Sequence, residues 1–126
     1  MSSLEIMQRF VAAVLSGDLD TVRSLAAPGM TLHQGSGLPY AGVYQGAEGF
    51  IEFLGTFGET WEIERLEPVR NFVGEDPEWV ASELAFVATL KSNGRRFESS
   101  LTEVWHIRDG KVLSIKPHYF NSPMAG

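Results

Sequence analysis

The chain has 126 residues, enough for one domain with a true hydrophobic core and too few for two. With 44% hydrophobic and 21% charged residues, a net charge of −6 and scattered basic residues, it does not suit sequence-independent binding of nucleic acid, which needs clustered Lys and Arg. Without cysteine, a ~20-residue apolar run or the basic start of a signal peptide, it offers no disulfide framework and no membrane partner, and a cytoplasmic protein is expected.

Ser2 followed by Glu5 is a capping box, and Leu4, Met7, Phe10, Val11, Val14 and Leu15 recur at helical spacing. Gly17 ends that helix, and Asp18 caps a short second one carrying Leu19, Val22 and Leu25. Pro28-Gly29 breaks it, and Met30 to Gln34 reads as a strand. A glycine-rich, aromatic loop follows from Gly35 to Gly42. Ala47 to Phe57 is a third helix, with Phe50, Ile51, Leu54 and Phe57 as its buried stripe.

Strands are predicted over residues 62–73, 78–91, 95–107 and 111–120, joined at Gly74 to Pro77, Asn93-Gly94 and Asp109-Gly110. Asn93-Gly94 is a signal for a two-residue hairpin. Helices first and an antiparallel meander afterwards give an α+β fold, with helices covering one face of a curved sheet. No internal repeat is present.

Between Arg96 and Ile107 one acid sits on the wrong face. Phe97, Ser99, Leu101, Glu103, Trp105 and Ile107 share one side of the strand, and Glu98, Ser100, Thr102, Val104 and His106 the other. Glu103 must therefore point inward with Leu101 and Trp105. A buried carboxylate needs a partner, a proton or a wet hollow, so this spacing argues for an internal pocket. Glu103 is then either a general acid or donor to a carbonyl oxygen, or the anchor of a purely structural network.

Phe10 to Asp20 resembles the opening of the nuclear transport factor two-like superfamily, and of its SnoaL-like and ketosteroid-isomerase-like proteins in particular. The loop Leu38 to Gly46 and the ending Glu103 to Val112, with Tyr119-Phe120-Asn121, resemble those families too. The resemblance implies a cone-shaped barrel of a curved, mostly antiparallel sheet. Three N-terminal helices close an apolar pocket inside it, and a homodimer is usual.

Placed against the isomerases, Glu103 falls where that family holds a protonated acid as oxyanion donor, a behaviour known for a carboxyl in an apolar site. The isomerase's base falls at Gln34, which cannot abstract a proton, and its tyrosine at Phe10, which has no hydroxyl. Gln34 is left to orient a carbonyl or water, or to bond its own loop. SnoaL-like cyclases commonly carry an Asp near the end of the last strand; here Asn121 stands close to that position. Tyr119 shares its face as a phenolic donor or as core.

Tyr40 and Tyr44, with Trp61, are expected to rim the pocket mouth and grip a flat ligand, or to pack as a lid. Phe86, Leu101 and Trp105 are expected to line the interior with Phe10. The three histidines, His33, His106 and His118, show no metal-ligand spacing, and neither GxGxxG nor GxxxxGK occurs, so neither metal nor cofactor is expected. Ser36 and Ser99 lack readable triad partners. Val87, Thr89, Val104 and His118 form an outward set compatible with a dimer.

Three functions compete on this reading. One is an enzyme that cyclises, isomerises or hydrates a small apolar carbonyl or epoxide compound. The second is a non-catalytic binder of an apolar metabolite, and the third an interaction protein with a vestigial pocket.

Overall fold

The computed structural model describes residues 1–122. Helix α1 (Ser3–Ser16) opens on the expected capping box: Glu5 N–H donates to Ser2 Oγ, and Ser2 N–H donates to Glu5 Oε1, each at 3.2 Å. It closes on Gly17, whose φ of 74° lies in the left-handed region that only glycine enters freely. Asp18 caps α2 (Leu19–Leu25) through Thr21 N–H. Phe50, Phe53 and Phe57 make the buried stripe of α3 (Gly46–Thr60).

Six strands form one sheet: β1 (Ala26–Gln34), β2 (Gly42–Gln45), β3 (Trp61–Val73), β4 (Trp79–Leu90), β5 (Arg96–Arg108) and β6 (Lys111–Tyr119). Their order is β2-β1-β6-β5-β4-β3. Every neighbouring pair is antiparallel except β1 with β6. The sheet is curved and unclosed, with α1 and α3 packed on its concave side and α2 packed against those two helices. Alternation is cleanest along β4, where every second residue from Val80 to Leu90 is buried.

Three local expectations are corrected. Pro28-Gly29 does not separate helix from strand; it lies inside β1, where the ladder to β6 shifts register between Ala26 and Thr31. A proline fits there because an interrupted ladder asks it for no donor. The segment after the glycine loop contains β2, an edge strand too short to announce itself by alternation. Asn93-Gly94 is not a two-residue hairpin: residues 91–95 connect β4 to β5, Gly94 alone takes a left-handed φ of 75°, and Asn93 Oδ1 accepts from Arg95 N–H. Asp109-Gly110 does behave as a two-residue turn, both residues having positive φ (53° and 72°).

Strand β3 is an edge whose outer side has no partner strand among the described residues. Pro68 and the charges at Glu62, Glu64, Arg65, Glu67 and Arg70 make it a poor template for a further strand. On the convex face Val87, Thr89 and Val104 are half-buried and His118 is exposed. His106 stacks on Trp79 at 4.1 Å and bonds Glu78 through Nε2 at 2.9 Å, so it serves the convex surface. His33 is likewise tied locally, to Thr31 Oγ1.

Candidate functional site

Register brings the inward side chains together. Glu103 on β5 pairs with Pro117 on β6 and with Ser82 on β4. Leu32 on β1 pairs with Ile115, so two residues further on Gln34 comes level with Pro117. One transverse row of the concave face therefore reads Gln34, Pro117, Glu103, Ser82. Trp105 lies one step along on β5, and Tyr119 one step the other way on β6, opposite Leu101. Pro117 is tolerated in this central strand because the last β1–β6 pair, Leu32 with Ile115, precedes it.

All of these but Ser82 line a cavity of about 350 Å³ between sheet and helices. Of the residues expected at the site, Phe10, Gln34, Leu101, Glu103, Trp105 and Tyr119 line it. Phe10 meets Trp105 edge-to-face at 5.3 Å and Phe50 at 5.1 Å, a rigid aromatic wall where an isomerase-like chain would carry a hydroxyl.

Five expected residues are elsewhere. Tyr40 (2% exposed) and Trp61 (1%) do not rim a mouth but are buried behind Tyr119. Phe86 is fully buried among Phe57, Trp61 and Phe97, as core filling. Tyr44 packs on Phe53 and donates its hydroxyl to Tyr40 O, so it braces the loop. Asn121 lies past the end of β6, is exposed, and donates through Nδ2 to Glu98 O at 3.2 Å. The period-2 rule that placed it beside Tyr119 stops applying where the strand stops.

The mouth is on another side. Leu15 of α1 (57% exposed) and Ile63 of β3 (43%) both line the cavity and reach solvent, with Gly58 of α3 between. Phe53, Leu54 and Leu66 also line it, and none was expected to. The α3 stripe was visible as periodicity, but periodicity does not tell the wall of a hollow from a filled core.

Glu103 supplies the site's titrating group. What accessibility it keeps is to the cavity, and among the described residues no cation pairs with it. Burial raises its carboxyl from 4.5 to about 7. The Trp105 indole N–H opposes the rise: it is close enough to favour the anion without closing a full hydrogen bond. Gln34 Oε1 is buried without a partner as well. Tyr119 is held well above the usual phenol range, chiefly by burial, so it keeps its proton at any physiological pH.

A larger cleft, about 500 Å³, lies where the start of α1 meets the β5–β6 turn, between Ser2, Glu78 and Arg108. Its one acid with perturbed titration, Glu78, is already engaged by Arg108 and His106. Among the described residues no group of three His, Asp or Glu is placed to hold a metal ion.

A family model for the SnoaL-like domain matches residues 7–115. The chain belongs to the SnoaL-like domain family. Solved structures of the same fold agree. An NTF2-like protein from Burkholderia thailandensis superposes with a TM-score of 0.83 at 20% identity, over 94% of this chain and 91% of that one. A Mesorhizobium loti protein called a SnoaL-like polyketide cyclase gives 0.77 at 20% identity, over 94% and 100%. TerC, co-crystallised with polyporic acid, gives 0.78 at 18% identity, over 93% and 90%. At such identities the likeness carries the fold and leaves the chemistry to the site.

Proposed function

We propose that this SnoaL-like protein is a small-molecule enzyme acting on an apolar carbonyl or epoxide compound inside the cone. The observation that carries the reading is the Glu103 carboxyl, raised to about 7 on the wall of a mostly apolar cavity. A group with that pKa is populated in both protonation states near neutrality, which suits general acid–base work.

Among the described lining residues Glu103 is the only carboxyl, and no histidine joins it. The chemistry that fits is one in which a single group takes a proton and returns it, as in isomerisation or intramolecular cyclisation. For a carbonyl substrate, ionised Glu103 removes a proton beside the carbonyl, charge moves to the oxygen, and protonated Glu103 returns the proton at another atom. The Tyr119 hydroxyl stabilises the oxyanion, and Gln34 orients the substrate's polar end. For an epoxide that carries its own hydroxyl, protonated Glu103 gives its proton to the epoxide oxygen as that C–O bond breaks, the substrate's hydroxyl oxygen forms the new C–O bond, and its proton returns to Glu103. The cyclase name of the Mesorhizobium loti relative supports this class of reaction.

The second reading is a non-catalytic binder of a small apolar metabolite, favoured by Gln34 standing where a second carboxylate would complete a base–acid pair. One experiment separates the two. A panel of apolar enones, diketones and epoxides is screened for turnover and binding with the native protein and Glu103→Gln. Loss of turnover by about 10²–10⁴-fold with binding retained is expected. Binding without turnover by either protein leaves the binder, and turnover undiminished in Glu103→Gln removes the carboxyl from the mechanism.

A further inference from the structure

Behind the cavity wall three polar side chains form a file. Trp61 Nε1 donates to Tyr40 Oη at 3.1 Å, and the hydroxyls of Tyr40 and Tyr119 lie 2.5 Å apart. The direction of the protons follows from what each group can do. An indole N–H only donates, so Tyr40 Oη accepts from it. Tyr40 is 2% exposed, with the rings of Phe53 and Phe57 edge-on to its own at 5.4 and 5.5 Å. Its hydroxyl proton needs an acceptor, and Tyr119 Oη is the partner within reach.

The opposite order, with Tyr119 donating to Tyr40, strands the Tyr40 proton among aromatic rings, an orphaned buried donor. The order Trp61 to Tyr40 to Tyr119 instead leaves the one unpartnered proton on Tyr119, at the cavity, and none among the rings around Tyr40. Tyr119 Oη is then occupied as an acceptor, and its own proton is left for the cavity, which Tyr119 lines together with Glu103. Each donated bond polarises the next, so the last hydroxyl is the strongest donor.

We infer that Tyr40 and Trp61 are positioning residues that lock Tyr119 as a hydrogen-bond donor into the cavity, so that the ligand presents an acceptor oxygen, carbonyl or ether, at this end. The inference rests on the cavity being the binding site for an apolar oxygenated compound, as proposed above. It makes an oxyanion donor out of a β6 tyrosine and gives the buried pair behind it a part in specificity.

Two measurements test it. In the free protein with isotope-labelled tyrosine, NMR is expected to show a downfield, slowly exchanging hydroxyl proton coupled to the Tyr40 ring and lost as such in Tyr119→Phe. Coupling to the Tyr119 ring instead, or no such proton, overturns the relay. In the complex with naphthyl methyl ketone, the carbonyl stretching band is expected at lower frequency than in hydrocarbon solvent. Tyr119→Phe should abolish that shift and weaken binding about tenfold. Tyr40→Phe, which keeps the ring and the packing, should reduce the shift while the near-UV circular dichroism stays native. A band unmoved by Tyr40→Phe overturns the positioning role, since a merely structural residue would leave it so. If the ketone binds at no concentration, the proposed function is what fails, and the assignment of the hydroxyl proton alone decides the relay.

Discussion

Glu103 on β5 and Gln34 on β1 stand on either side of Pro117, in one transverse row of the concave face. Two strand spacings, about 9–10 Å, separate their backbones. A cavity that already keeps one carboxyl half-protonated at neutral pH would push a second one further from ionisation. An amide at Gln34 avoids that repulsion and leaves a single titrating group.

Gln34→Glu is therefore expected to raise Glu103 above about 7, because ionising both carboxyls puts like charges in one low-dielectric hollow. The two groups should titrate in separate steps, read by NMR of the side-chain carboxyl carbons. A Glu103 titration identical to the native one would show that the two side chains do not share the cavity.

Glu103 also gives stability a pH dependence of definite sign. Its folded value of about 7 lies above the ordinary 4.5, so between these values the folded chain binds the extra proton and stability falls as pH rises. Below 4.5 both states are protonated and the group costs nothing; above about 7 the full penalty, roughly 3 kcal/mol, applies. Glu103→Gln stays neutral throughout. Urea unfolding should find the variant gaining on the native protein by about that amount from acid to mildly alkaline pH. A constant difference across the range would place the carboxyl in water.

The inward turn of Glu103 was legible because side chains of a strand point to alternate faces, and Leu101 and Trp105, both buried, fix which face of β5 is inside. The helix caps, the strands from β3 onward and the Asp109-Gly110 turn were legible for the same local reason. What escaped depends on packing between distant segments. That Tyr40 and Trp61 meet, and that both meet Tyr119, follows from how the 35–42 loop folds under α3, and no periodicity records it. The same holds for the hollow: the expected stripe of Phe50, Ile51, Leu54 and Phe57 missed the buried Phe53, and periodicity reads the same whether the space before it is filled or empty.

Trp105→Phe is expected to act on chemistry and packing at once. It removes the indole N–H that favours the Glu103 anion, so the carboxyl should titrate above about 7. It also leaves a void beside Phe10, at a cost of about 1–2 kcal/mol. Relief of an unpartnered buried donor sets part of that loss back. Carboxyl titration and denaturant midpoints measure the two effects separately. A Glu103 value moving downward would mean that the indole does not face it.

The position of the mouth yields the remaining prediction. Leu15 and Ile63 line the cavity and are 57% and 43% exposed, so a ligand is expected to enter between α1 and β3 rather than past the 35–42 loop. Leu15→Trp or Ile63→Trp narrows that opening with little change in the buried core, and the melting temperature should move little. Association and dissociation of naphthyl methyl ketone should slow together, by stopped-flow quenching of tryptophan fluorescence, leaving Kd nearly constant. Val43→Trp, at a 55% exposed site on β2, is the control and should leave both rates unchanged. If Val43→Trp slows entry and the other two do not, the opening lies on the loop side after all.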